Sequence, residues 1–101
     1  MMYRLQYSYA ASLDLRAIYD YIAAEQPSAA VRYLGELEQA VLRLREFPSL
    51  GHESRYPELY SHGIRVLVHD KHLIFYTVDQ KTKTVTVLRV LHGSRDYVHL
   101  F

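Results

Sequence analysis

"IRVLVHDKHLIFYTVDQKTKTVTVLRVL", residues 64–91, decides how this chain folds. Three runs rich in Val, Ile, Leu, Tyr and Thr (64–69, 72–79 and 84–91) are parted by Asp70-Lys71 and by Gln80-Lys81-Thr82-Lys83. β-branched and aromatic runs bounded by short polar segments predict strands, and turns this short make consecutive strands antiparallel neighbours. The stretch is a three-stranded meander.

Turn length fixes register, and register sorts side chains between the two faces. Around Asp70-Lys71, His69 faces His72, Leu67 faces Ile74 and Arg65 faces Tyr76. Around the second turn, Phe75 is expected opposite Leu88, Leu73 opposite Val90, and Arg89 opposite Ile74. One face then collects Ile64, Val66, Val68, Leu73, Phe75, Leu88 and Val90, and this purely apolar face is predicted to pack on helices. The other is predicted to be open, with Leu67, Ile74 and Val87 as its floor and Arg65, Tyr76, Arg89, His69 and His72 around it.

Upstream, Tyr3, Leu5 and Tyr7 alternate with Arg4 and Gln6, which predicts a first strand; with Tyr3, Leu5 and Tyr7 toward the helices, Arg4 joins the open face. Ser8 is placed to cap a helix over 9–25, whose stripe is Ala11, Leu15, Ile18 and Ile22. Gln26-Pro27 breaks it, because the residue before proline avoids the α region. A second helix is predicted over 28–47, with Ala30, Tyr33, Leu34, Leu37, Ala40, Val41, Leu44 and Phe47 on one side, ended by Pro48. So short a break makes an antiparallel helical hairpin. Residues 48–63, rich in His, Tyr and charge, read as a long functional or mobile loop. The expected fold is α+β, one domain over 1–101: a helical hairpin packed on one face of a small antiparallel sheet, in the order β-α-α-β-β-β.

Composition narrows the function. The chain has 101 residues, half of them hydrophobic, so it holds one core and is not disordered. Ten tyrosines suggest a contact surface beyond that core. A net charge of +1 makes no basic tail for nucleic acid. The absence of cysteine excludes disulfides, thiolate zinc sites and a cysteine nucleophile. No apolar run approaches membrane-spanning length, which leads us to expect a soluble cytoplasmic protein. The glycines are isolated, with no phosphate-binding pattern, and no Ser/His/Asp arrangement is present. His69 and His72, across a tight turn with only Asp70 beside them, make a poor metal site, so neither metal nor cofactor is expected.

The segments "SYAASLDLRAIYDYIA", "SAAVRYLGELEQAVLRLREFPSLG", "RVLVHDKHLIFYTVD" and "VTVLRVLHGSRD" together resemble the ParE/RelE superfamily of bacterial toxins. The ending "VLRVLHGSRD" is similar to the ParE-type branch, also known as plasmid stabilisation proteins. The resemblance covers essentially the whole chain. It implies the toxin of a type II toxin–antitoxin pair, neutralised by a small antitoxin whose flexible acidic segment wraps it. ParE-type members are linked to inhibition of DNA gyrase, whereas RelE-type members cut mRNA on the ribosome. A family member that keeps only an interaction role is a third reading.

RNA cleavage by 2′-OH attack needs a base, an acid and cations for the phosphorane charge. Arg65 and Arg89 suit phosphate binding, and His92 at the end of the last strand suits acid–base work. If the chain is RelE-like, these three are the catalytic candidates, assisted by Tyr97 or Glu58. Against this, residues 48–63 contain Arg55 but none of the lysines of the RelE-type loop. His92 shares the parity of the core face, and Asp96 beside Arg95 suits a C-terminal turn. The ParE-like reading is therefore preferred, with Arg65, Tyr76 and Arg89 expected to bind the acidic antitoxin segment.

Overall fold

Ser8 starts the first helix as its position predicts. Its Oγ accepts the Ala11 N–H at 3.0 Å and donates to the Leu88 carbonyl at 2.7 Å, so one hydroxyl caps a helix and ties it to the last strand. A computed structural model describes residues 2–101. Strand β1 (Arg4–Tyr7) leads through Ser8 into α1 (Tyr9–Ala23), followed by α2 (Pro27–Leu42), with Pro27 in its first turn. A 3-10 turn, Arg43–Arg45, closes α2 earlier than the predicted 47. The 48–63 segment is more ordered than expected: it holds a two-residue strand β2 (His52–Glu53) and a helical turn α3 (Pro57–Tyr60). Then come β3 (Arg65–His69), β4 (His72–Asp79), β5 (Thr84–His92) and a final 3-10 turn, Tyr97–Leu100.

The sheet order is β1-β5-β4-β3-β2, with β1 parallel to β5 and every other pairing antiparallel. The α+β hairpin-on-sheet architecture is as predicted. So is the β3–β4 register, from Arg65↔Tyr76 to His69↔His72.

Two features depart from the prediction. First, the faces are exchanged. Leu67, Ile74, Val87 and Val90 pack with Ala11, Leu15, Ile18, Leu37 and Val41 under the helical hairpin. Ile64, Val66, Leu73, Phe75 and Leu88 lie on the far side, under Leu59 of α3 and under Tyr97 and Leu100. Both faces are thus covered, so the cleaner apolar alternation did not identify the one that meets the helices. Tyr3 and Leu5 do point to the helix side, where they join Leu44, Tyr76 and Val85.

Second, β5 carries a bulge. Its register with β4 runs as predicted from Asp79↔Thr84 to Tyr76↔Val87, then slips, so that Phe75 pairs with Arg89 and Ile74 with Val90. Leu88 is the extra residue, and beyond it every side chain of β5 changes face relative to the unbulged register. Arg89 therefore does not stand beside Ile74, and Val90, not Leu88, enters the helix-side core.

Candidate functional site

The four residues singled out from sequence do not share a surface. Tyr76 is fully buried, its ring between Leu44 and Val85. Its hydroxyl donates to the Pro48 carbonyl at 2.8 Å and accepts the Gly51 N–H at 2.9 Å, so it holds the loop after α2 rather than offering a contact surface. Arg65, beside it on β3, donates through one terminal nitrogen to the Ser49 and Gly51 carbonyls, while the other lies 3.8 Å from Glu53. Its Nε is buried without a partner.

Arg89 is displaced by the bulge toward the strand edge left open where β1 ends. There its Nε and one terminal nitrogen grip the Asp14 carboxylate at 2.7 and 2.9 Å, and the other terminal nitrogen donates to the Leu100 carbonyl. The Asp14 hydrogen bond raises the Arg89 pKa further above its ordinary value. Asp14 also accepts the Val90 N–H at 2.9 Å, closing the edge that a longer β1 would have paired. Of the assisting candidates, Glu58 is exposed in the first turn of α3, and Tyr97 packs on Phe75 at 5.0 Å. Arg65, Arg89 and His92 are thus in three separate places.

What the fold does gather is a group of imidazoles around Tyr33. The Tyr33 hydroxyl lies 2.6 Å from His72 Nδ1. The His72 ring meets His92 edge-on at 5.5 Å, and His69 lies 5.9 Å from Tyr33 on the other side. Cross-strand pairing put His72 between these partners: His69↔His72 on one side and His72↔His92 on the other. Pairing through the β3–β4 turn was readable in sequence. The bulge that brings His92 opposite His72, and the docking of Tyr33 from α2, were not.

Tyr33, His72 and His92 wall a cleft of about 750 Å³ between the helical hairpin and the β3–β4 turn. Ala17, Ile18, Ile22, Ala29, Val90 and Leu91 supply its apolar lining. Among the described residues no three His, Cys, Asp or Glu side chains are arranged to hold a metal.

Burial and the neighbouring His92 push His72 below its ordinary 6.5, with His69 adding to the effect and Asp70 opposing it. Tyr33 is pushed up to about 12 by burial and by Asp70 and Glu36. The folded state therefore favours neutral His72, and the unfolded chain takes up its proton first as pH falls. The stability tied to His72 is complete above pH 6.5 and declines as pH falls toward the lower folded value. The melting temperature should drop between about pH 7 and pH 5, and His72→Gln should flatten that slope. An unchanged slope in His72→Gln would place the titration elsewhere.

With the geometry in place, comparison with known proteins defines the class. A helical hairpin over an open, mostly antiparallel sheet is shared with the chromosomal ParDE toxin–antitoxin system from P. aeruginosa, at a TM-score of 0.73 and 25% identity, covering 90% of this chain and 96% of that one. The RelBE2 toxin–antitoxin complex from Mycobacterium tuberculosis has the same fold at a TM-score of 0.68 and 22% identity, over 91% of this chain and 99% of that one. A free, doubly substituted E. coli toxin RelE follows at 0.67 and 14%, over 99% and 93%. Comparison with curated protein sequences finds no significant match. Residues 5–97 match the sequence model of the ParE toxin of the type II toxin–antitoxin system parDE. The chain belongs to that family and is a toxin of the type II toxin–antitoxin class, with no described helix long and apolar enough to cross a membrane.

Proposed function

We propose that the protein is a ParE-like toxin that binds and inhibits DNA gyrase and is held inactive by a small acidic antitoxin. The observation that carries this reading is the match of residues 5–97 to the ParE toxin family. The internal commitments of Arg65 and Arg89 support it over the mRNA endonuclease alternative. A nuclease face needs free, convergent cations, and here one arginine binds loop carbonyls while the other grips Asp14. A purified supercoiling assay tests the target: the toxin should block gyrase and leave mRNA on translating ribosomes uncut. Ribosome-dependent cleavage with unaffected supercoiling would reverse the assignment.

An antitoxin would find an uncovered apolar surface on α1, where Tyr9, Leu13 and Tyr21 are 79, 51 and 85% exposed. Tyr9 and Leu13 stand one helical turn apart, while Tyr21 is turned about 80° further round the helix, toward the cleft. Of the three expected contacts Arg65 is the most exposed, at 25% of its side chain against 19% for Arg89 and a fully buried Tyr76. Tyr76 and Arg89 act from inside, by fixing the loop and the β5 edge. Co-expression with the adjacent reading frame should rescue growth and yield a co-purifying complex. Leu13→Glu should weaken that complex by about tenfold or more, read by titration. A chain harmless alone and indifferent to its neighbour would overturn the toxin reading.

A further inference from the structure

We propose that the cleft between the helical hairpin and the β3–β4 turn binds a nucleoside phosphate, its phosphate held by the His72–His92 end and its base by the aromatic and apolar wall. The volume of about 750 Å³ lies within the range of roughly 300–1,000 Å³ typical of small-molecule sites. Its residues divide into the two chemistries such a ligand presents.

Charge comes first. Arg32, Lys71 and Arg95 line the cleft, and none makes an ion pair among the described residues. Of the three carboxylates there, Asp14 is taken by Arg89, while Glu36, 3.9 Å from an imidazole that is charged only when protonated, and Asp70 keep their charge. Three unpaired cations against two carboxylates leave the cleft net positive, which favours an anion at its Lys71 and Arg95 end.

The imidazoles add oriented donors. The Ser94 N–H donates to His92 Nδ1 at 3.1 Å, and the Ser94 hydroxyl lies 2.7 Å from the same atom. An Nδ1 that accepts a backbone N–H carries no proton, so neutral His92 bears its N–H on Nε2. Tyr33 stays protonated far above neutral pH, and His72 Nδ1 is its hydrogen-bond partner. With the Tyr33 hydroxyl donating to that atom, His72 carries its proton on Nε2, the tautomer that leaves a donor for a ligand. Two rings fixed in position, each with one remaining donor, lie beside Lys71 and Arg95, and fixed donors lose little freedom on binding a phosphate. Tyr21, 85% exposed, lines the cleft together with Ile18, Ile22 and Ala29: a ring and apolar side chains for a planar base.

The test uses the purified full-length chain and follows the histidine ring resonances by NMR. Adenosine 5′-monophosphate should shift His72 and His92 saturably, with a Kd below about 1 mM. Adenosine alone and inorganic phosphate alone should each bind about tenfold more weakly or worse. Arg95→Glu should abolish saturation without changing the melting curve, because Arg95 is exposed and unpaired. Tyr21→Ala should weaken the nucleotide and leave inorganic phosphate unaffected. A short 5′-phosphorylated oligonucleotide that shifts the same rings with similar affinity would mark a strand end as a second source of the same group. No saturable shift with the mononucleotide up to about 10 mM, equal binding of phosphate alone, or indifference to Arg95→Glu would each overturn the proposal.

Discussion

Asp14→Ala should destabilise the protein by about 3–5 kcal/mol, the usual cost of removing one member of a buried ion pair. Asp14 is 10% exposed at its side chain and Arg89 is 19% exposed. The carboxylate accepts three N–H groups: Nε and a terminal nitrogen of Arg89, and the backbone amide of Val90. Its loss leaves a mostly buried guanidinium without its anion and a strand-edge amide with no partner. Arg89→Ala should cost almost as much, since it strands the carboxylate, but it spares the Val90 bond. Asp14→Asn keeps an acceptor and should fall between the alanine variant and wild type.

Replacing both charges with apolar residues discriminates further. An ion pair exchanged for well-packed hydrophobic side chains is often neutral, but here the Val90 N–H would still lose its acceptor, at about 1–3 kcal/mol. Urea unfolding of the four variants reads this out. An Asp14→Ala variant within about 1 kcal/mol of wild type would mean that the pair is more solvated than its geometry implies. Leu88→Ala, at a half-buried bulge residue, should cost less than Asp14→Ala.

What the residues made legible follows from what kind of physics placed each one. The meander, the helical hairpin and the β3–β4 register come from local rules: period, proline breaks and a two-residue turn. Those rules act within a few residues, so one chain suffices to read them. The face assignment needed knowledge of what covers the second face. Val66, Leu73 and Phe75 are apolar because Leu59 and Tyr97 lie on them, two segments that sequence patterning treats as loop and tail. The register puts Tyr76 opposite Arg65 on the face expected to be open, and nothing local shows that its hydroxyl pairs with the backbone of Pro48 and Gly51.

The bulge at Leu88 was the decisive omission. Neither turn length nor alternation announces it, yet it moves Arg89 from the neighbourhood of Ile74 to Asp14. A signal was present: Asp14 lies within the helix stripe between Ala11 and Leu15, where a carboxylate needs a buried cation, and Arg89 is a mid-strand cation that needs an anion. The cleft residues were each visible, with His69 and His72 recognised as a pair. Only tertiary packing brings Tyr33 and His92 to them.

Gly51→Ala should cost roughly 2–5 kcal/mol, combining overpacking with lost hydrogen bonds. A methyl group there would lie 2.6 Å from the Val66 carbonyl oxygen and 2.8 Å from the Tyr76 hydroxyl. Neither neighbour can yield easily. Val66 is paired to both His52 and Phe75, and the Tyr76 ring is fully buried. The loop would have to lift, breaking the Gly51 N–H bond to Tyr76 and the Arg65 bond to the Gly51 carbonyl. Tyr76→Phe separates the two contributions. It keeps the ring and opens no cavity, but leaves the Gly51 N–H and the Pro48 carbonyl unpaired, so about 1–3 kcal/mol is expected. Limited proteolysis within 48–56, alongside urea unfolding, distinguishes a local from a global effect. Gly51→Ala should expose the segment to cleavage under conditions where the helices stay folded, because the helical hairpin has its own contacts with Ile74 and Val87. If Gly51→Ala is tolerated and the loop stays protected, the close approach of Gly51 to Tyr76 is not what fixes it, and Arg65 would be the anchor to examine next.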